Sequence, residues 1–155
     1  MIMDEQLMLS EEQSLGASGT TESENVIDLG QVCDCVGALQ NDRVNVSNRL
    51  MLNVVAVNES IKAGSAGTLT LNLHNDIDDN PVVGGDVIIS KVIVTDASTT
   101  LLPAGTQLLS IALPMGQLKR YIKLAAVVAG SNLTDGMITA WIGTGMQQGG
   151  KIGQL

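Results

Sequence analysis

Few residues in this chain could do chemistry, and their spacing limits what that chemistry would be. His74 is the single histidine and stands two residues from Asp76. A His–Asp pair can activate a serine nucleophile. Serines are present, but none sits in a G-x-S-x-G elbow. Asp76, Asp78 and Asn80 have the first three spacings of a calcium loop. The sixth position would be Pro81, where the loop needs glycine for its sharp turn, and the twelfth would be Val87 instead of glutamate. Cys33 and Cys35 are one residue apart, a span over which a disulfide would be strained. With one histidine they make no zinc set, so free thiols in a reducing compartment are expected. Gly143, Gly145, Gly149 and Gly150 do not match a phosphate-binding spacing. The acids show no paired arrangement of the glycosidase kind. The expectation is a protein without catalytic residues, metal or cofactor.

The elements that would position any site follow from composition and pattern. A chain of 155 residues suits one domain. Hydrophobic residues make up 45%, enough for a core, and they are nearly all aliphatic, with no Phe, one Tyr (Tyr121) and one Trp (Trp141). Charged residues are only 15%, so either a partner covers part of the surface or Thr, Ser and Asn coat it. Net charge is −8 and unevenly placed: residues 1–42 hold nine acids and no Lys or Arg, and residues 43–155 hold eight bases and seven acids. Nucleic acid is disfavoured as a partner, because phosphate contacts need clustered bases. An acidic arm ahead of a neutral body suggests either a basic partner surface or a solvated tail. The N-terminus lacks the charge and apolar run of a signal peptide. No run of about 20 apolar residues exists to span a membrane.

Alternation predicts strands at 50–57, 68–75, 87–94, 108–113, 120–128 and 137–142, with a short one at 25–30. Leu69, Leu71 and Leu73 share one face, as do Ile122, Leu124, Ala126 and Val128, and Ile138, Ala140 and Ile142. The turn cluster Gly130 to Gly136 makes the last two strands read as a hairpin. The apolar run at 87–94 reads as covered on both faces. Residues 1–15 read as an amphipathic helix with Ser10 and Gln13 as a capping box, or as an extended arm, and Gly16 to Glu24 reads as a linker. The predicted organisation is an acidic arm (1–30), an all-β sandwich or jelly roll (31–145) and a Gly- and Gln-rich tail (146–155).

Three groups of residues are candidates for partner binding. The arm segment Asn25, Val26, Ile27, Asp28 and Leu29 has apolar beads among acids and cannot fold alone; it could add a strand to a neighbour's sheet edge. Trp141 falls opposite Ile138, Ala140 and Ile142, on the outer face if that phase holds, where aromatics mark interfaces; within a doubly covered sandwich it is core. Lys119, Arg120 and Lys123 form the one basic cluster, placed either to receive an acidic arm from another subunit or as a solvated strand end.

Asp4, Gln6, Ser10 and Gln13, then Asn25 to Gly30 (NVIDLG), then Arg120 to Ile122 ahead of a Gly-containing turn stand in one order along the chain. In that order they resemble the capsid cement, or decoration, proteins of tailed bacteriophages, of the Bordetella phage cement protein type. The chain departs from that pattern in the polar stretch Cys33 to Arg49 and in having no Phe. The resemblance implies a jelly-roll structural protein of the virion, on the outer surface of the icosahedral capsid. It implies bridging of neighbouring major capsid protein subunits, self-association as a homodimer or homotrimer at symmetry axes, and synthesis in the reducing cytoplasm of the host bacterium. It implies no enzyme activity, no nucleic-acid partner and no membrane. A sandwich module that recognises carbohydrate on a host surface is the alternative; it would need an aromatic platform or a calcium loop. A metal enzyme on a cupin-like jelly roll would need several histidines.

Overall fold

Period-two patterning is carried through into the computed structural model, which describes residues 7–16, 18–29, 50–58, 61–63, 67–95, 102–114 and 117–144. The expectations for Asp4, Gln6, Cys33, Cys35, the 33–49 loop and the 146–155 tail fall outside those residues. The described strands are β1 (Met8–Ser14), β2 (Gly19–Glu22), β3 (Ile27–Asp28), β4 (Leu50–Ala56), β5 (Lys62–Ala63), β6 (Gly67–Asp76), β7 (Asp86–Thr95), β8 (Gln107–Ala112), β9 (Tyr121–Ala129), β10 (Leu133–Asp135) and β11 (Met137–Thr144). One sheet has the order β1-β11-β4-β8. The other has β2-β9-β6-β7, with β3 also pairing β9, and β10 with β5 forms a small ribbon.

All of these pairings are antiparallel, and they nest. The outermost pair is β1 with β11, then β2 and β3 with β9, then β4 with β8, and innermost β6 with β7. Such nesting is what results when one long hairpin is rolled over a core so that successive pairs fall alternately in two sheets. It is the connectivity of a jelly roll. The chain is thus an all-β sandwich in a single domain, as the alternation predicts.

The inward faces are those the pattern marks. Leu69, Leu71 and Leu73 on β6 face the core with Ile122 and Leu124 on β9, and Leu52 and Val54 on β4 meet them from the other sheet with Ile138 and Ile142 on β11. Burying a side chain of this size contributes roughly 1.5–3 kcal/mol, so the sandwich needs no aromatic core.

Four local readings are corrected. Residues 8–14 are a strand, not a helix: Met8, Leu9 and Ser10 are all buried, and the ladder to β11 carries two register shifts. Ser10 and Gln13 therefore cap nothing. Glu12 takes a positive φ of 47° within this irregular stretch, and its N–H donates to Thr139 Oγ1 at 3.0 Å. Part of the expected linker, Gly19–Glu22, is β2, paired with Ala125–Val128 of β9. The 120–128 and 137–142 strands are not a hairpin, because β9 and β11 lie in different sheets and the chain between them crosses the sandwich. The run at 87–94 is not covered on both faces. β7 is an edge strand, and Val87 and Val92 are 49% and 56% exposed.

Candidate partner-binding surface

The acidic arm is where sequence and structure meet most closely, and it folds onto its own domain. β1 takes the edge of one sheet; β2 and β3 lie one after the other along the same edge of β9 in the other sheet. The arm thereby closes one flank of the sandwich. Leu9, Leu15, Ile27 and Leu29 enter the core from it.

Its polar residues explain the motif spacing. Buried Ser10 donates from Oγ to Gln13 Oε1 at 2.6 Å, and Gln13 Nε2 donates to the Glu22 carbonyl at 2.6 Å. That chain of bonds ties β1 to β2, sheet to sheet, across the flank. Asn25 donates its backbone N–H to Leu9 O at 2.9 Å and its Nδ2 to Met8 O at 3.1 Å. Val26 is half-buried, Ile27 and Leu29 are buried, and Asp28 between them points to the outer face of the sheet. The arm segment expected to add a strand to a neighbour is therefore placed in cis, because its own β9 offers the complementary edge.

The basic cluster fastens the same structure. Arg120 grips Asp28 with Nε–Oδ1 at 3.0 Å and Nη2–Oδ2 at 2.9 Å, and its guanidinium lies 4.8 Å above the Tyr121 ring centre. Lys123 meets Glu22 at 2.8 Å, and Lys119 reaches Asp86 of β7 at 2.7 Å. The hydrogen bond from Lys119 holds the Asp86 carboxyl below its ordinary pKa and raises that of Lys119, and Asp28 raises that of Arg120. Arg120 and Lys123 do receive an acidic arm, and in this structure the arm is the chain's own, while Lys119 meets β7. Glu11, Glu12 and Glu24 remain exposed on the arm for other contacts.

Trp141 lies in the predicted phase, across from Met8 on β1 and Asn53 on β4, and outside the contiguous core cluster. It is only 9% exposed, and Asn53 beside it is fully buried, so this outer face is covered. Asn53 is satisfied there by Ser110, whose Oγ donates to Asn53 Oδ1 at 2.8 Å. The indole also lies along its own strand beside Gly143, where a Cβ would stand at ordinary contact distance, 3.4 Å from Cδ1. Trp141 is packed, not presented.

His74 is on the outer face of β6, with Lys123 on one side and Val87 on the other. Its Nδ1 is buried without a partner. Desolvation lowers its pKa from 6.5, and the charge of Glu22 opposes that shift. Asp76 is turned elsewhere, its Oδ1 accepting from the Ile77 N–H at 2.6 Å. The two do not form the orienting half of a triad.

Sequence reasoning missed one surface. The exposed large apolar residues among those described are Ile77 and Val83 (70% each), Val87, Val92 and Ile111 (41%). All five lie on the β6–β7 hairpin or on β8, the two sheet edges away from the arm. Val87 and Val92 belong to an apolar run that an edge strand and a doubly covered strand share, and Ile77 and Val83 lie in the connection between β6 and β7, outside any strand period.

These features define an all-β jelly roll with one flank closed by its own arm and, among the described residues, exposed apolar side chains along the other. Residues 9–142 match the family model described as Bbp16, and the chain belongs to the Bbp16 family. The name has the form of a Bordetella phage protein name, and the family is a phage-related one. No curated protein matches the sequence.

Proposed function

We propose that this chain is a structural, non-catalytic phage head protein that binds the outer surface of the icosahedral capsid and bridges neighbouring major capsid protein subunits. The observation that carries the reading is the family match over residues 9–142 on a jelly roll. The arm motifs that prompted the resemblance also have structural work here: Ser10–Gln13 tie the sheets, and Asn25 to Leu29 seat the arm.

The mechanism is mechanical. Packed DNA presses outward on the shell, and a bridge across a joint raises the free energy of separating its subunits. A specific interface of about 1,600 Å² suffices for one contact, and many copies on one closed lattice act together by avidity. Because Asp28 and Glu22 are engaged internally, the acids left to meet a basic capsid patch include Glu11, Glu12 and Glu24. The outer edge of β2 is one strand position at which a partner strand could extend a sheet, whereas that of β1 is already met by Asn25 and Glu24. No observation favours the carbohydrate module, since Trp141 is buried and the Tyr121 ring lies under Arg120.

The test is co-sedimentation of the purified chain with capsids stripped of it, over a salt series. Saturable binding that weakens as salt rises is expected, because contacts between exposed charges are screened. Binding that is unchanged or strengthened by salt contradicts the electrostatic part, and failure to bind contradicts the reading.

A further inference from the structure

We infer that the connection between β6 and β7, residues 77–85, is a docking knob. Its exposed apolar residues, Ile77 and Val83, and its exposed acids, Asp78 and Asp79, fit an apolar recess with a basic rim on a partner protein. The inference rests on the capsid reading, which makes that partner the major capsid protein; the variants below change the knob alone, so the two can fail separately.

Three observations carry it. First, apolar exposure is greatest here. Ile77 and Val83 are each 70% exposed, more than any other large apolar residue described, and Val87 follows at the start of β7. Side chains so exposed add little to their own core. Apolar residues rimmed by polar ones on a surface mark sites of protein contact.

Second, the connection is held in one shape before any partner arrives. The Ile77 N–H donates to Asp76 Oδ1 at 2.6 Å, and the Val83 N–H donates to the Asn80 carbonyl at 3.1 Å. Pro81, the residue that defeats the calcium-loop spacing, is buried. Gly85 lies so close to the Pro81 and Asn75 carbonyl oxygens that a Cβ there would not fit. At the base, Asn75 Nδ2 donates to the Gln117 carbonyl at 2.6 Å and Lys119 meets Asp86 at 2.7 Å. Both tethers come from the segment that leads into β9. A loop ordered in advance loses little conformational freedom on binding.

Third, charge selects the partner. Residues 76–86 hold four acids, Asp76, Asp78, Asp79 and Asp86, and no Lys or Arg. Asp86 is engaged by Lys119, whereas Asp78 and Asp79 are exposed with no ion pair among the described residues. Like charges brought together are costly, so an acidic knob rejects nucleic acid and anionic lipid. A second copy is also a poor match, because the chain carries a net charge of −8 and Lys119, Arg120 and Lys123 are already engaged. A protein surface that places Lys or Arg around an apolar recess complements both features of the knob.

The experiment is co-sedimentation of full-chain variants with capsids stripped of this protein, with thermal unfolding as the control for folding. Ile77→Ser with Val83→Ser should weaken attachment by about tenfold or more, since two anchors lose their burial. Asp78→Asn with Asp79→Asn should weaken it by about fivefold and flatten its salt dependence. Val92→Ser, an equally simple change of an exposed apolar residue on β7, should bind as the unaltered chain does. In a second arm, a photo-crosslinking residue replaces Ile77 on the capsid-bound chain, and an adduct with the major capsid protein is expected. Knob variants that bind normally overturn the inference and leave the capsid reading standing. So does a loss confined to one of the two pairs, a loss shared by Val92→Ser, or an adduct with a second copy of the chain. Failure of the unaltered chain to bind overturns both.

Discussion

Arg120 and Asp28 are 92 residues apart in the chain and joined by two parallel hydrogen bonds of 3.0 and 2.9 Å. The pair closes the arm onto the strand that it edges, with Leu29 N–H donating to the Arg120 carbonyl at 2.7 Å beside it. A segment that composition reads as an acidic tail is in this way built into both sheets.

Arm burial makes the first prediction. Leu9→Ala and Ile27→Ala should each destabilise the domain by about 2–5 kcal/mol, the range for truncating a buried aliphatic side chain, because both are in the core. Urea unfolding measures this. Were the arm a solvated tail, the changes would stay within about 0.5 kcal/mol.

The Ser10 bond that holds Gln13 for its sheet-to-sheet contact with Glu22 gives a second. Ser10→Ala removes the donor to Gln13 Oε1 at a fully buried position. A cost of about 1 kcal/mol follows, since Gln13 is only half-buried and water can reach its Oε1. The loss should appear in the unfolding midpoint with an unchanged denaturant slope.

Two adjacent glycines should behave differently. A Cβ on Gly85 would collide with the Pro81 carbonyl oxygen and stand 2.7 Å from the Asn75 carbonyl oxygen. Gly85→Ala must therefore displace backbone and should unfold or rearrange the β6–β7 connection. Gly84 has a φ of +91° and open space around it, so Gly84→Ala meets only the conformational cost of about 1–2 kcal/mol. Comparing the two by thermal unfolding separates collision from backbone preference.

Acid should weaken the fold in part through His74. Burial depresses its folded pKa below 6.5, so the unfolded chain takes up the proton first. Its contribution is complete above pH 6.5 and is lost as pH falls through the lower folded value. His74→Gln should flatten the stability profile in that window. An unchanged profile would assign the acid sensitivity to the carboxylates.

Much of the fold was legible because Leu69, Leu71 and Leu73 on β6 alternate without interruption and β9 and β11 each keep one apolar residue in every second place. β1 was not, because its register shifts place Met8, Leu9 and Ser10 all in buried positions and break the period. β2 reads GTTE and has no apolar residue to alternate. Its place comes from backbone pairing to β9. The segment between β9 and β11 reads as a hairpin turn, but Leu133–Asp135 within it is β10, and Gly130 and Gly136 carry no information about which sheet the next strand joins. For Trp141 the phase was legible and the burial was not, since what lies over an outer face is not written in the strand's own period. The basic cluster was legible as Lys119, Arg120 and Lys123, yet its partners Asp86, Asp28 and Glu22 come from three strands that only the topology brings together.

The capsid reading is tested most directly by counting this chain in purified virus particles against the major capsid protein, by quantitative mass spectrometry. A lattice protein must appear in a fixed, simple ratio at hundreds of copies per head, the stoichiometry that avidity on a closed shell requires, and that is the expected result. A few copies per particle, or none, would contradict it.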